Sequence, residues 1–129
     1  MSLFFNALAV GTALVTAVLY IYGKENSLFW YYWWYDIPMH ILGGLVIGFW
    51  IAAIAAQRSF PIRKTFLLTL IAVICIGVAW EIYEYTFDLI PDVANYPLDT
   101  VADLCNDVLG AAIALLLYIW HYRRTTPTL

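Results

Sequence analysis

The sequence predicts an all-α integral membrane protein, a bundle of four transmembrane helices with both termini in the cytoplasm. The class follows from composition, because 64% of the 129 residues are hydrophobic and only 12% are charged. A soluble domain is about 45–50% apolar and about 25% charged, so a soluble or disordered protein is excluded. The length accommodates about four spans of roughly 20 residues. With six Lys and Arg against nine Asp and Glu, a strongly basic nucleic-acid binder is excluded as well.

Four apolar stretches divide the chain, which we interpret as a single transmembrane domain over residues 1–129. The spans cover residues 3–22, 36–56, 65–87 and 98–120. The connectors at residues 23–26, 57–64 and 88–97 contain the Gly, Pro and Asn that favour turns. No Lys or Arg precedes the first stretch, and it is long enough to span. We therefore interpret it as a retained helix rather than a signal peptide.

The basic residues predict the orientation. One side of the bundle, with both termini and the second connector, carries five of the six: Arg58, Arg63, Lys64, Arg123 and Arg124. The other side carries only Lys24. The positive-inside rule therefore places both termini in the cytoplasm of a plasma (inner) membrane.

The rare ionisable groups of the spans concentrate near the outer boundary. They are Asp36, His40, Glu81, Glu84, Asp99, Asp103 and Asp107, and no Lys or Arg lies within the spans to balance them. Within each span the spacings of three or four residues place these groups on one helix face. At a rise of ~1.5 Å per residue, His40, Glu81, Glu84 and Asp103 lie roughly 5–9 Å below the boundary. Each would cost about 2.5–3.5 kcal/mol on insertion, so the group needs a common explanation.

A cluster of carboxylates cannot stay fully ionised in a low dielectric without positive charge, which protons or a bound cation could supply. Carboxylates with one imidazole suit a divalent metal ion such as Mg²⁺, Mn²⁺, Zn²⁺ or Fe²⁺. We therefore predict a metal site formed by Asp36, His40, Glu81, Glu84, Asp103 and Asp107. The candidate catalytic residues are Glu84 and Asp99, since a carboxylate left free by the metal could act as general base.

Each of these residues also has a structural interpretation. Asp36 and Asp99 are equally compatible with helix N-caps at the interface. The acids inside the helices could form a network of protonated carboxyl groups that holds the bundle together. His40 could be a satisfied core imidazole.

Two further patterns concern packing and the interface. The aromatic run at residues 29–35 is typical of a belt at the membrane surface, with stacking on a sugar or lipid headgroup as the alternative. Gly44 and Gly48 form a small-xxx-small pair, which favours close helix packing.

The order of the motifs resembles that of the small YjdF-type inner-membrane proteins. Asp36-x-x-x-His40 with Gly43-Gly44 precedes Trp80-Glu81-x-x-Glu84, and Asp99-Thr100-x-x-Asp103-x-x-x-Asp107-x-x-Gly110 follows. The last three spans are also similar, more loosely, to VanZ-like proteins. In that pattern Gln stands in place of Glu84 and an Arg precedes the last helix. The resemblance implies a bacterial-type cell-envelope membrane protein and names no reaction.

Three functions fit these observations. The first is a metal-dependent hydrolase or transferase that acts on the headgroup of a membrane lipid or lipid-linked envelope substrate. The second is a subunit for proton- or cation-coupled transport, which would require a homo-oligomer. The absence of a polar path through the cytoplasmic halves of the spans argues against transport. The third is a structural or accessory subunit whose acids bind a basic partner helix.

Overall fold

The computed structural model describes residues 1–87, 89 and 96–125. Within them, four helices are long and apolar enough to cross a membrane, which confirms the predicted all-helical membrane architecture. In chain order the helices are α1 (Ser2–Glu25), α2 (Leu28–Tyr31), α3 (Asp36–Arg58), α4 (Ile62–Thr86) and α5 (Tyr96–Thr125). The single turn α2 lies in the connector between the first two spans.

Where basic residues follow or precede a predicted apolar stretch, the helix extends to include them. Lys24 and Arg58 lie in the last turns of α1 and α3, so the connectors are not where the sequence placed them. A spanning helix satisfies its backbone groups internally, which favours helix up to the polar interface. The second connector shrinks to residues 59–61, where Ser59 has the left-handed φ of 52°. The third predicted connector lies mostly outside the described residues, and its last two residues open α5.

The two ends of the bundle differ in charge. At one end, which we call the basic end, Met1 approaches Thr125, with 3.9 Å between Sδ and Oγ1, and Phe4 stacks on His121. The second connector and five of the six basic residues lie at this end as well. At the opposite end, the acidic end, α1 and α4 finish while α3 and α5 begin. Met1 and the end of α5 therefore lie at the same end, as predicted for the two sides of the bundle; the placement of the termini in the cytoplasm stays a prediction.

Helix α3 packs against α1, α4 and α5, and its contact with α5 is the closest. A Cβ atom on Gly44 would overlap the carbonyl oxygen of Asp107, and one on Gly110 would overlap that of Ile41. A Cβ on Gly48 would lie 2.6 Å from the Cβ of Ala114. The predicted packing role of Gly44 and Gly48 is confirmed, and α3 and α5 touch backbone to backbone.

The half of the bundle toward the basic end contains buried hydroxyl groups as well as apolar side chains. Thr65, Thr69 and Tyr118 are buried there beside the aromatic core around Phe5. The hydroxyls of Thr69 and Tyr118 have no hydrogen-bond partner among the described residues. Buried apolar residues separate these hydroxyls from the acids along both helices: Val73 on α4, and Ala111 and Ala114 on α5.

The glycines provide a matched test of this packing. An alanine inside a helix is intrinsically about 1 kcal/mol more favourable than glycine. Gly11→Ala should therefore raise the Tm of the detergent-purified protein, because nothing lies within 4 Å of its added Cβ. Gly44→Ala should lower the Tm, because forcing α3 from α5 costs about 1–3 kcal/mol, as overpacking usually does. Equal stabilisation by both variants would contradict the contact.

A candidate metal centre at the acidic end

The residue at which α3 and α5 each begin determines the position of the first acidic residue in that helix. Asp36 is the first residue of α3, but the N-cap position belongs to Tyr35, and no side chain caps the helix. Helix α5 begins at Tyr96, which places Asp99 inside its first turn rather than at the cap. Pro97 is tolerated there because the first turn needs no N–H from that position. The N-cap interpretation therefore does not account for either aspartate.

His40 lies one turn after Asp36 and is 5% exposed. Its Nε2 atom faces three carboxylate oxygens from three helices, at 3.5 Å from Asp36 Oδ2, 3.8 Å from Asp103 Oδ1 and 4.0 Å from Glu81 Oε1. All three separations are longer than the usual N–H···O range of about 2.7–3.2 Å, and none of the three pairs is hydrogen-bonded. The imidazole therefore stands at the centre of the predicted acidic level with three carboxylate oxygens around one nitrogen.

Asp107 contacts the other nitrogen of the same ring. Its Oδ1 lies 3.3 Å from His40 Nδ1 in a buried hydrogen bond. Glycine makes room for this carboxylate, since a Cβ on Gly77 would lie only 2.6 Å from Asp107 Oδ2. A carboxylate that accepts the Nδ1 proton leaves the Nε2 lone pair available for a ligand.

Glu81 is held in a fixed orientation by two residues of α5. Thr100 Oγ1 donates a 2.9 Å hydrogen bond to Glu81 Oε2 of the side chain. The Tyr96 hydroxyl donates to the backbone carbonyl oxygen of Glu81 at 3.0 Å. The second carboxylate oxygen, Oε1, is buried and has no hydrogen-bond partner among the described residues. A buried polar atom without a partner is costly, and this one points toward His40.

Sequence reasoning missed three residues that shape the site, and each leaves a signal. Gly77 lies four residues before Glu81, on the acidic face of α4. Thr100 lies three residues before Asp103 on α5, where a hydroxyl can reach α4. Tyr96 precedes Asp103 by seven residues, two helical turns, and so lies on that stripe too.

Ligand atoms converge in two overlapping groups within the described residues. Asp36, His40 and Asp103 form one group, and His40, Glu81 and Glu84 form the other. In each group the ligand atoms all lie within 4.8 Å of one another. The structure thus brings together five of the six predicted ligands, with Asp107 on the opposite nitrogen of His40. The half-buried Asp99 belongs to neither group.

A cavity of about 400 Å³ opens beside this cluster, within the usual range of ligand pockets. Helices α1, α3 and α4 form most of its walls, and α5 contributes Asp107. Asp36, His40 and Glu84 lie at its acidic end. Its remaining walls are almost entirely apolar. The cluster is therefore accessible from one side.

The charge of the cluster is not balanced by neighbouring side chains. In the part of the chain that the structure describes, every ion pair within 4.0 Å joins one of these carboxylates to His40. One protonated imidazole offsets a single negative charge. Bound protons or a cation must supply the rest.

Comparison with known proteins gives one match. A family model described as "Predicted membrane protein (DUF2238)" matches residues 1–124. No curated protein and no solved structure matches the chain. YjdF-type proteins fall within the matched family, whereas the more distant VanZ-like resemblance stays a prediction.

The unbalanced charge makes a prediction about stability. Asp103 makes no hydrogen bond among the described residues, and its ion pair there is a long 3.8 Å contact with His40, so Asp103→Asn mainly removes repulsion between carboxylates. In a chelator at neutral pH, Asp103→Asn should therefore raise the Tm above that of wild type. The difference should vanish in acid, where the wild-type carboxyl group is already neutral.

Glu25→Gln provides the control, because it removes the same charge from an exposed position at the end of α1. It should leave the Tm almost unchanged, as surface substitutions usually do. An Asp103→Asn protein no more stable than the Glu25→Gln protein in chelator would show that the carboxylates do not repel one another.

Proposed function

This chain belongs to the DUF2238 family of predicted membrane proteins, and we propose that it binds a divalent metal ion within the membrane at the acidic end. The ligands in this proposal are His40 Nε2 and the carboxylates of Asp36, Glu81, Glu84 and Asp103. The chemistry we assign to the ion is hydrolysis or group transfer at the headgroup of a lipid or lipid-linked envelope substrate. By the positive-inside rule the site lies near the outer leaflet of the plasma membrane.

The environment of His40 carries the proposal. Asp107 occupies Nδ1, and three carboxylate oxygens surround Nε2 beyond hydrogen-bond distance. A histidine that ligates a metal generally donates its other ring proton to a carboxylate or carbonyl. A satisfied core imidazole would use both nitrogens in hydrogen bonds, so the metal-site interpretation fits better.

The separations support the same conclusion. Ligand atoms around a tetrahedral ion with bonds of about 2.0–2.1 Å lie roughly 3.3 Å apart. The three oxygens lie 3.5–4.0 Å from Nε2, so small inward movements of the side chains would close a shell. Glu81 Oε1 supports the assignment further, because a cation would satisfy this buried oxygen.

Glu84 is the better candidate for the general base, through the carboxylate oxygen that does not ligate the ion. It lines the cavity, whereas Asp99 does not. A bound ion would polarise a phosphoryl or acyl oxygen and acidify a water molecule. Glu84 would accept a proton from that water as its oxygen adds to phosphorus or carbon, and return the proton to the departing oxygen.

Metal content tests the proposal. Mass spectrometry of the detergent-purified wild type should find one or two divalent ions per chain. Glu81→Gln and Asp103→Asn should lose most of that metal, because each removes a charged ligand. Glu25→Gln should retain it, because Glu25 is exposed and belongs to neither ligand group.

The opposite result favours one of the alternative functions. A wild type that stays metal-free after reloading would show that the acids bind protons or a partner instead. Proton flux in proteoliposomes that Glu81→Gln abolishes would then support transport. Stability that depends on a co-purified partner would support an accessory subunit.

A second prediction concerns Asp107, which the sequence assigned as a ligand. If it orients His40 instead, Asp107→Asn should weaken metal affinity by about 10–100-fold without removing the site, as loss of such supporting carboxylates typically does. A metal titration followed by calorimetry would measure this. Loss of binding as complete as in Asp103→Asn would make Asp107 a direct ligand.

A further inference from the structure

We propose that the cavity beside the metal centre is a slot for one hydrocarbon chain of a phosphate-bearing lipid, which enters sideways from the bilayer between α1 and α4. This inference rests on the proposed metal site and names its substrate class. It comes from the depth of the cavity, from its walls and from the position of its polar end.

The depth of the cavity matches one leaflet. Ile76 lines its inner part and lies ten residues before the end of α4, or ~15 Å at a rise of ~1.5 Å per residue. Ala13, on α1, lies twelve residues before Glu25, or ~18 Å. The hydrocarbon core of a bilayer is about 30 Å thick, so the cavity extends to about its middle.

The walls of the cavity suit a chain of methylene groups. Helix α1 contributes small residues, Ala13, Thr16 and Ala17, while α3 contributes Val46 and Ile47. At this depth the cavity meets Asp107, whose Oδ1 is already hydrogen-bonded to His40 Nδ1, while the groups around it are apolar or small. An apolar chain loses no hydrogen bond on entering such a space, whereas water would find few polar partners there.

The cavity is open toward lipid rather than only toward water. Ile76 of α4 lines it and is 48% exposed, and Ala17 of α1 lines it and is exposed as well. Both residues belong to the lipid-facing sides of spanning helices. The hydrocarbon chain of a lipid could therefore move from the bilayer into the cavity without passing through water.

Aromatic rings cross the acidic end of this opening. Tyr20 of α1 and Trp80 of α4 both line the cavity and meet edge to face, with 5.9 Å between ring centroids. They bridge the gap between the two helices at the level of the acids. A lipid chain would therefore enter between α1 and α4 at a point deeper in the membrane than these two rings.

The polar end of the cavity determines the headgroup. Asp36, His40 and Glu84 meet the cavity there, where the headgroup of a lipid from that leaflet would lie. Bare carboxylates would repel a phosphate, but a divalent cation on these ligands would attract it. The slot for a hydrocarbon chain and the cation together thus select an anionic phosphate lipid.

Photocrosslinking tests the inference. The probe is phosphatidic acid with a diazirine in one acyl chain, present in trace amount in phosphatidylcholine vesicles that contain the metal-loaded protein. Mass spectrometry of the peptides should find the label concentrated on α1 near Ala17 and on α4 near Ile76. Removal of the metal with a chelator should lower this labelling several-fold.

Two pairs of variants make the test specific. Ala17→Trp fills the slot from α1 and should abolish the concentrated labelling, whereas the neighbouring Val18→Trp should not, because Val18 is 65% exposed outside the cavity. Ile76→Trp fills the slot from α4, with the exposed Val78→Trp as its control. The second pair applies if Ala17→Trp fails to fold.

Metal content measured on the same samples separates the two proposals. Labelling spread evenly over the lipid-facing surface and insensitive to both slot-filling variants, in a protein that holds metal, would overturn the slot and leave the metal site intact. Slot labelling that persists unchanged after chelation would overturn the phosphate–cation recognition. A wild type without metal would overturn the proposed function itself.

Discussion

The contact between the backbones of α3 and α5 determines the geometry of the site. Gly44 and Gly110 let the two helices touch, each against a carbonyl of the other helix. In a membrane, helices gain little from excluding water and associate through close van der Waals packing, so small residues favour such contacts. The contact places Asp107 against the Nδ1 atom of His40 and directs Nε2 toward the other acids. A wider separation of these helices would remove that alignment.

The acidic residues around His40 differ in whether their carboxylate oxygens accept hydrogen bonds. Asp107 and one oxygen of Glu81 accept hydrogen bonds, while the oxygens that face Nε2 lie beyond hydrogen-bond distance. A cluster selected for stability alone would pair these groups with each other or with basic side chains. Departures from local stability of this kind are expected at functional sites, where a ligand supplies the missing interaction.

The sequence predicted the parts of this structure that depend on periodicity and composition. Four spans follow from apolar length, and the shared face of Asp36 and His40 follows from their four-residue spacing. Periodicity does not fix how each helix is rotated against its neighbours, so it could not assign Asp107 to Nδ1 or identify Gly77 as the space for its carboxylate. The cap interpretation of Asp36 and Asp99 failed because each lies inside the first turn of its helix, Asp36 directly after Tyr35 and Asp99 three residues after Tyr96. The cavity left no signal, because it arises mainly from three helices whose small residues look like ordinary packing.

The connector between α1 and α3, at the acidic end, affects how the protein sits in membranes of different thickness. Trp33 in this connector is 83% exposed, while Tyr35 donates a hydrogen bond to the Leu19 carbonyl and packs on Phe29. Exposed rings anchor a protein at headgroup level, and the inner rings tie that anchor to α1. The basic end relies on Lys and Arg, whose long side chains adapt to depth by snorkelling. A thicker or thinner bilayer should therefore be accommodated at the basic end. The distance from the headgroups down to His40 would then stay constant in membranes of different thickness.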